Sequence, residues 1–113
     1  MKVIMTGGGT GGHIYPAIAI ADEIKKRFPD AEILFVGAKR GLEKTLVPDN
    51  GYPIKLIPVQ GFNRKNPLKN VEVLRDLKQG NKLSKQILKE FQPDVVIGTG
   101  GYASAPVVKM AQK

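Results

Sequence analysis

Cysteine is missing from all 113 residues, which excludes a disulfide framework and thiolate chemistry and is compatible with a reducing compartment. A single histidine, His13, argues against a zinc site, which needs several converging ligands. No spacing of ligand residues suggests another metal, and no cofactor is expected. No apolar run approaches the roughly 20 residues that span a bilayer. The N-terminus also lacks a secretory pattern, because Lys2 is followed by just Val3, Ile4 and Met5 before the glycine-rich stretch. A cytoplasmic location is the expectation. Acidic residues are outnumbered, 10 against 18 Lys and Arg, for a net charge of +8. That excess calls for an anionic partner: nucleic acid, anionic lipid or a phosphorylated substrate. Solvated lysines on outer helix faces are the bland alternative. No aromatic-rich strand of the RNA-reading type is visible, so nucleic acid is not the expected partner.

What is present is an ordinary globular composition, 42% hydrophobic and 25% charged, enough for one domain with a modest core. The chain is organised around Gly7-Gly8-Gly9-Thr10-Gly11-Gly12-His13, which follows a short apolar run and precedes a helical pattern. Glycines let the backbone turn tightly and approach a ligand, and unpaired N–H groups of the following helix face an anion. A second version stands at Gly98-Thr99-Gly100-Gly101-Tyr102, after Val95-Val96-Ile97.

Between these loops, strands are expected at 2–6, 32–37, 54–59 and 95–98, nearly continuous in apolar character as buried parallel strands are. Helices are expected from about Ile14 to Phe28, over 41–50, from about Leu68 to Phe91 with a break near Gly80-Asn81, and over 102–111. The first helix carries Ile18, Ala19, Ala21, Ile24 and Phe28 as its apolar stripe, with Pro16 suited to its first turn. The long helix carries Leu74, Leu77, Leu83, Ile87, Leu88 and Phe91. Alternating strands and helices predict a Rossmann-like open parallel α/β sheet of order 3-2-1-4, with helices on both faces. That order brings both glycine loops to the topological switch point, where such sheets bind ligands.

Gly7, Gly9 and Gly12 satisfy the spacing of a dinucleotide fingerprint. The acid that NAD binding wants after the second strand is replaced by Lys39 and Arg40, which leaves a 2′-phosphate open. A P-loop is disfavoured because neither turn closes with Gly-Lys-Ser/Thr. His13, at a helix start beside an anion site, is the candidate general base for a substrate hydroxyl; capping or plain ligand contact is the alternative. Thr10 and Ser104 suit capping or substrate contact, and Tyr102 suits stacking or packing. Phe62, Arg64, Lys65 and Leu68, ahead of a basic helix, suit a membrane-facing patch.

Gly8 to Ala17, Leu46-Val47-Pro48 before Gly51-Tyr52, and Pro93 to Ser104 occur in an order and spacing that resemble the N-terminal domain of the MurG-type N-acetylglucosaminyltransferases. The resemblance runs over essentially the whole chain. It implies one half of a GT-B architecture, with inverting transfer of N-acetylglucosamine from UDP-N-acetylglucosamine to lipid I, giving lipid II in peptidoglycan synthesis. No catalytic metal is implied. On that mapping, Gly100, Gly101, Tyr102 and Ser104 cradle the acceptor diphosphate together with the first glycine loop. Thr10, Gly11 and Gly12 also reach the donor. His13 falls on the family histidine proposed to deprotonate the acceptor or contact the donor. The segment from Phe62 to Leu68 faces the inner surface of the cell membrane and its anionic lipids. Ala105 departs from the glycine usual before Pro106. Residues 1–113 correspond to a truncated acceptor-binding domain without the C-terminal UDP-sugar domain, so no turnover is expected from them alone. The alternative is a non-enzymatic nucleotide- or phosphate-binding module acting with a partner chain.

Overall fold

The computed structural model describes residues 1–7, 11–39, 41–58, 69–100 and 104–112. Strands and helices alternate: β1 (Lys2–Gly7), α1 (Gly11–Arg27), β2 (Glu32–Ala38), α2 (Glu43–Asp49), β3 (Ile54–Ile57), α3 (Lys69–Phe91), β4 (Val95–Gly100) and α4 (Ser104–Ala111). All pairings are parallel and the sheet order is β3-β2-β1-β4, as the sequence predicts.

The period of two along each strand divides the core into two layers. Val3, Met5, Ile33 and Phe35 point to one face and are covered by Ile14, Ala17, Ile18 and Ala21 of α1 and Val47 of α2. Ile4, Leu34, Val36, Ala38 and Ile57 point to the other and meet Ile87 of α3 and Val107 of α4. Strands covered on both faces need apolar side chains at successive positions, which is why β1 and β2 read as unbroken apolar runs. Phe35, only 1% exposed, illustrates the scale: truncating such a side chain to alanine costs about 3–5 kcal/mol. Its ring packs 5.3 Å from that of Tyr52.

β1 and β4 are tied together at their starts by Asp94. Its carboxylate accepts the Lys2 N–H at 2.8 Å, and its own N–H donates to the Lys2 carbonyl at 2.7 Å.

Several expectations need correction. α1 starts at Gly11 rather than near Ile14, so Pro16 falls in its second turn. There it removes the helical bond to the Gly12 carbonyl. Phe28 lies beyond the helix end and is 54% exposed, and Ala19 faces solvent. α3 runs unbroken through Gly80-Asn81. Glycine costs a helix about 1 kcal/mol, but Gly80 is buried, with Ser84 one turn on. Leu74 is not core but 55% exposed. β4 extends two residues further than expected, to Gly100. Among the described residues no helix is long and apolar enough to cross a membrane.

Candidate functional site

The sheet order places the ends of β1 and β4 side by side, with Gly7 paired to Gly100. α1 begins four residues after Gly7, and α4 begins four residues after Gly100. The first N–H groups of both helices have no partner within their own helix, which favours an anion at this edge of the sheet.

The register between β1 and β4 slips at this point. Thr6 pairs with Gly98 and Gly7 with Gly100, so Thr99 is an extra residue in β4. Thr99 lies two residues after Ile97, on the α1 face of the strand. Here the Thr99 hydroxyl reaches across to donate to the His13 main-chain carbonyl at 2.7 Å. In return, His13 Nδ1 lies 3.3 Å from the Thr99 carbonyl oxygen. A carbonyl can only accept, so this long hydrogen bond requires the proton on Nδ1 and leaves Nε2 as the acceptor of the neutral ring.

Two glycines make the arrangement possible. At Gly7 the Thr99 hydroxyl occupies the space a Cβ would need. Gly100 has φ +115°, and a Cβ there would come within 2.6 Å of His13 Nδ1 and 2.8 Å of its Cε1. The ring is thus packed against the backbone of Gly100 and is half-buried.

A neighbouring wall comes from β2. Glu43, the first residue of α2, is 1% exposed, and its Oε1 accepts the Ala38 N–H at 2.7 Å. Its carboxylate fills the space before Gly37 and Gly41. This ties the start of α2 to the end of β2, and a carboxylate in the first turn also suits the helix dipole.

The structure therefore brings together His13, Gly11, Gly12 and Gly100. Ser104 opens α4 at the same edge. Thr10, Gly101 and Tyr102 lie outside the described residues, as do Phe62, Arg64, Lys65 and Leu68. Sequence reasoning passed over Thr99 and Glu43. The signal for Thr99 was the repetition of Gly-Thr-Gly-Gly at 9–12 and 98–101. The signal for Glu43 was an acid at a helix start, which reads equally well as solvent-exposed.

Among the described residues no group of three or more His, Cys, Asp or Glu is placed to hold a metal ion. A groove of about 560 Å³ between the ends of α3 and α4 is lined by Leu88, Asp94, Val96 and Val108. It sits at the start of β4, the opposite end of that strand from Thr99.

Residues 3–113 match the model of the glycosyltransferase family 28 N-terminal domain. A protein of Phocaeicola vulgatus is 55% identical over 111 residues, covering 98% of this chain and 30% of that protein. A Thermoanaerobacter relative is 57% identical over 111 residues, with the same coverage of 98% and 30%. Both are named UDP-N-acetylglucosamine–N-acetylmuramyl-(pentapeptide) pyrophosphoryl-undecaprenol N-acetylglucosamine transferase. Among solved structures, MurG of Acinetobacter baumannii superposes with a TM-score of 0.81 at 26% identity, over 98% of this chain and 31% of that one. The chain thus spans about 30% of the length of the relatives it matches.

Proposed function

This chain belongs to the glycosyltransferase family 28 N-terminal domains, and on that premise we propose that it is the acceptor-side half of a MurG-type enzyme. The whole enzyme would move N-acetylglucosamine from UDP-N-acetylglucosamine to lipid I, with inversion, in peptidoglycan synthesis. The C-terminal domain that completes the cleft would hold most of the donor.

The observation that carries this reading is His13, held against Gly100 at the end of β4 with Nδ1 on the Thr99 carbonyl. In the transfer step the acceptor hydroxyl oxygen attacks C1 of the sugar and its proton passes to His13 Nε2. The bond from C1 to the β-phosphate oxygen breaks, and its electron pair leaves on UDP. A positioned base of this kind contributes typically 10²–10⁴-fold. The helix N-termini beside Gly12 and Ser104, with Gly100, Gly101 and Tyr102, would hold the acceptor diphosphate, and Thr10, Gly11 and Gly12 would reach the donor.

Docking on the inner face of the cell membrane is part of the proposal. Helices of a parallel sheet run back against the strands, so the N-terminal end of α3 stands at the same edge as the glycine loops. Val71 is 59% and Leu74 55% exposed there. Exposed Arg75 and Lys78 follow, a combination suited to anionic headgroups. It extends the patch expected at Phe62, Arg64, Lys65 and Leu68 and keeps the protein peripheral.

The test joins these residues to the remaining two thirds of a MurG-type relative and measures transfer of labelled N-acetylglucosamine to a lipid I analogue. Transfer by the parent, and a loss of roughly 10²-fold or more in folded His13→Ala, is the expected result. Saturable phosphate binding without transfer by a folded parent would favour the non-enzymatic binding module instead.

A further inference from the structure

We infer that Thr99 is the positioning residue for His13: its carbonyl holds the ring in the Nδ1–H tautomer, and its hydroxyl clamps the first turn of α1 onto the end of β4.

The two contacts are reciprocal. The hydroxyl donates to the His13 carbonyl at 2.7 Å, and the Thr99 carbonyl receives His13 Nδ1 at 3.3 Å. One residue therefore holds both the backbone and the ring of the other, across 86 positions of sequence. Thr99 stands two residues after Ile97, on the face of β4 that packs against α1. The extra residue lies between the Thr6–Gly98 and Gly7–Gly100 pairs, at Thr99 itself. Gly7 clears the path of the hydroxyl, and Gly100 clears the seat of the ring.

The consequence is chemical. An imidazole side chain free in water favours the Nε2–H tautomer, which puts its lone pair on Nδ1. Held as Nδ1–H, the ring presents its lone pair at Nε2, on the side turned away from β4. A second group that fixes the tautomer is what makes a histidine a prepared base rather than one that must first reorganise. Because the Nδ1 bond is long, the ring's seat depends on how closely α1 is held to β4. That spacing is what the Thr99 hydroxyl sets. The inference builds on the proposed role of His13 as base, but the tautomer can be read without any substrate.

The lone histidine makes the measurement direct. Long-range ¹H–¹⁵N correlation spectra of the ¹⁵N-labelled 113-residue chain, at a pH where the ring is neutral, contain one set of ring signals. The expected parent pattern is a protonated Nδ1 with an unprotonated Nε2. Thr99→Val keeps the carbonyl and the side-chain shape but loses the hydroxyl. Its ring signals are expected to move toward an average of both tautomers, while Thr99→Ser returns them to the parent position. A parent ring in the Nε2–H form overturns the inference. So do folded Thr99→Val ring signals that coincide with the parent's. Should Thr99→Val fail to fold, the parent tautomer together with Thr99→Ser decides.

In the joined transferase, Thr99→Val is expected to lower kcat by roughly 10-fold or more with a smaller change in KM, the pattern of a misplaced base. An unchanged kcat would remove the link to chemistry. An Nδ1–H ring in a parent that transfers no sugar would sink the glycosyltransferase reading and leave the positioning of His13 standing.

Discussion

The carboxylate of Glu43 accepts the main-chain N–H of Ala38 at 2.7 Å, so the first residue of α2 closes the turn that leaves β2. With Glu43 1% exposed, the contact exchanges solvent for a buried hydrogen bond, and the start of α2 is held to the end of β2 from within.

Removing that acceptor leaves a buried N–H unpaired. Glu43→Ala is expected to destabilise the chain by about 2–3 kcal/mol. Glu43→Gln, which keeps an oxygen for Ala38, should cost less. Urea unfolding measures both, and hydrogen exchange at the Ala38 amide should quicken in the alanine variant alone. Equal losses in the two variants would mean that charge, rather than the bond to Ala38, matters there.

Tyr52 offers a pH signature on the α1 side of the sheet. Burial is the main cause that raises its phenol above the usual value near 10, followed by its 2.5 Å hydrogen bond to the Asp22 carboxylate and that group's charge. The folded state therefore keeps the proton more tightly than the unfolded chain. The resulting stability is fully present below about pH 10 and is lost as pH rises through the raised folded value. Tyr52→Phe should flatten the alkaline fall of stability and lower stability at neutral pH by about 1 kcal/mol. Denaturant melts between neutral and strongly alkaline pH would expose a wrong assignment as parallel curves.

Gly100→Ala meets two penalties together, a backbone at φ +115° and a methyl group against the His13 ring. Strain of this kind costs about 1–3 kcal/mol, and the ring must leave its seat. Thermal melts should show the loss, and the ¹⁵N ring signals should shift away from the parent tautomer. Parent-like ring signals in a folded variant would contradict the packing described for this glycine.

Charge introduced on the exposed end of α3 should weaken adhesion to lipid. Val71→Asp with Leu74→Asp is expected to reduce co-sedimentation with anionic vesicles severalfold, because each carboxylate opposes insertion and repels headgroups. Folding should be nearly unaffected, since surface changes usually stay within about 0.5 kcal/mol. Undiminished binding by the double variant would remove Val71 and Leu74 from the proposed membrane-facing patch.

Much of this protein was legible from residues alone, because the relevant physics is local. Continuous apolar runs along Val3 to Met5 and Ile33 to Val36 specify strands covered on both faces, and Ile18, Ala21 and Ile24 of the expected helical stripe do pack on one of those faces. From the succession of strands and helices along the chain the strand order follows with few choices. Glycine-rich stretches after the first and last strands marked the site edge, and His13 beside them marked the candidate base.

Tertiary structure decided the rest. Periodicity shows that a helix has an apolar stripe, not how much of it the sheet can reach. At 23 residues, α3 is about 35 Å long, whereas the 6-residue β1 reaches about 20 Å. Leu74 ends in solvent for a second reason: it stands 13 positions before Ile87, about 220° around the helix axis, away from the face that buries Gly80, Ser84 and Ile87. Glu43 turns inward because the end of β2 needs an acceptor there, a demand no helix pattern carries. The bond between Thr99 and His13 depends on the pairing of β1 with β4, two strands that are far apart in sequence and adjacent in space. Residue identity made that contact possible, and only the packed sheet brought the two residues together.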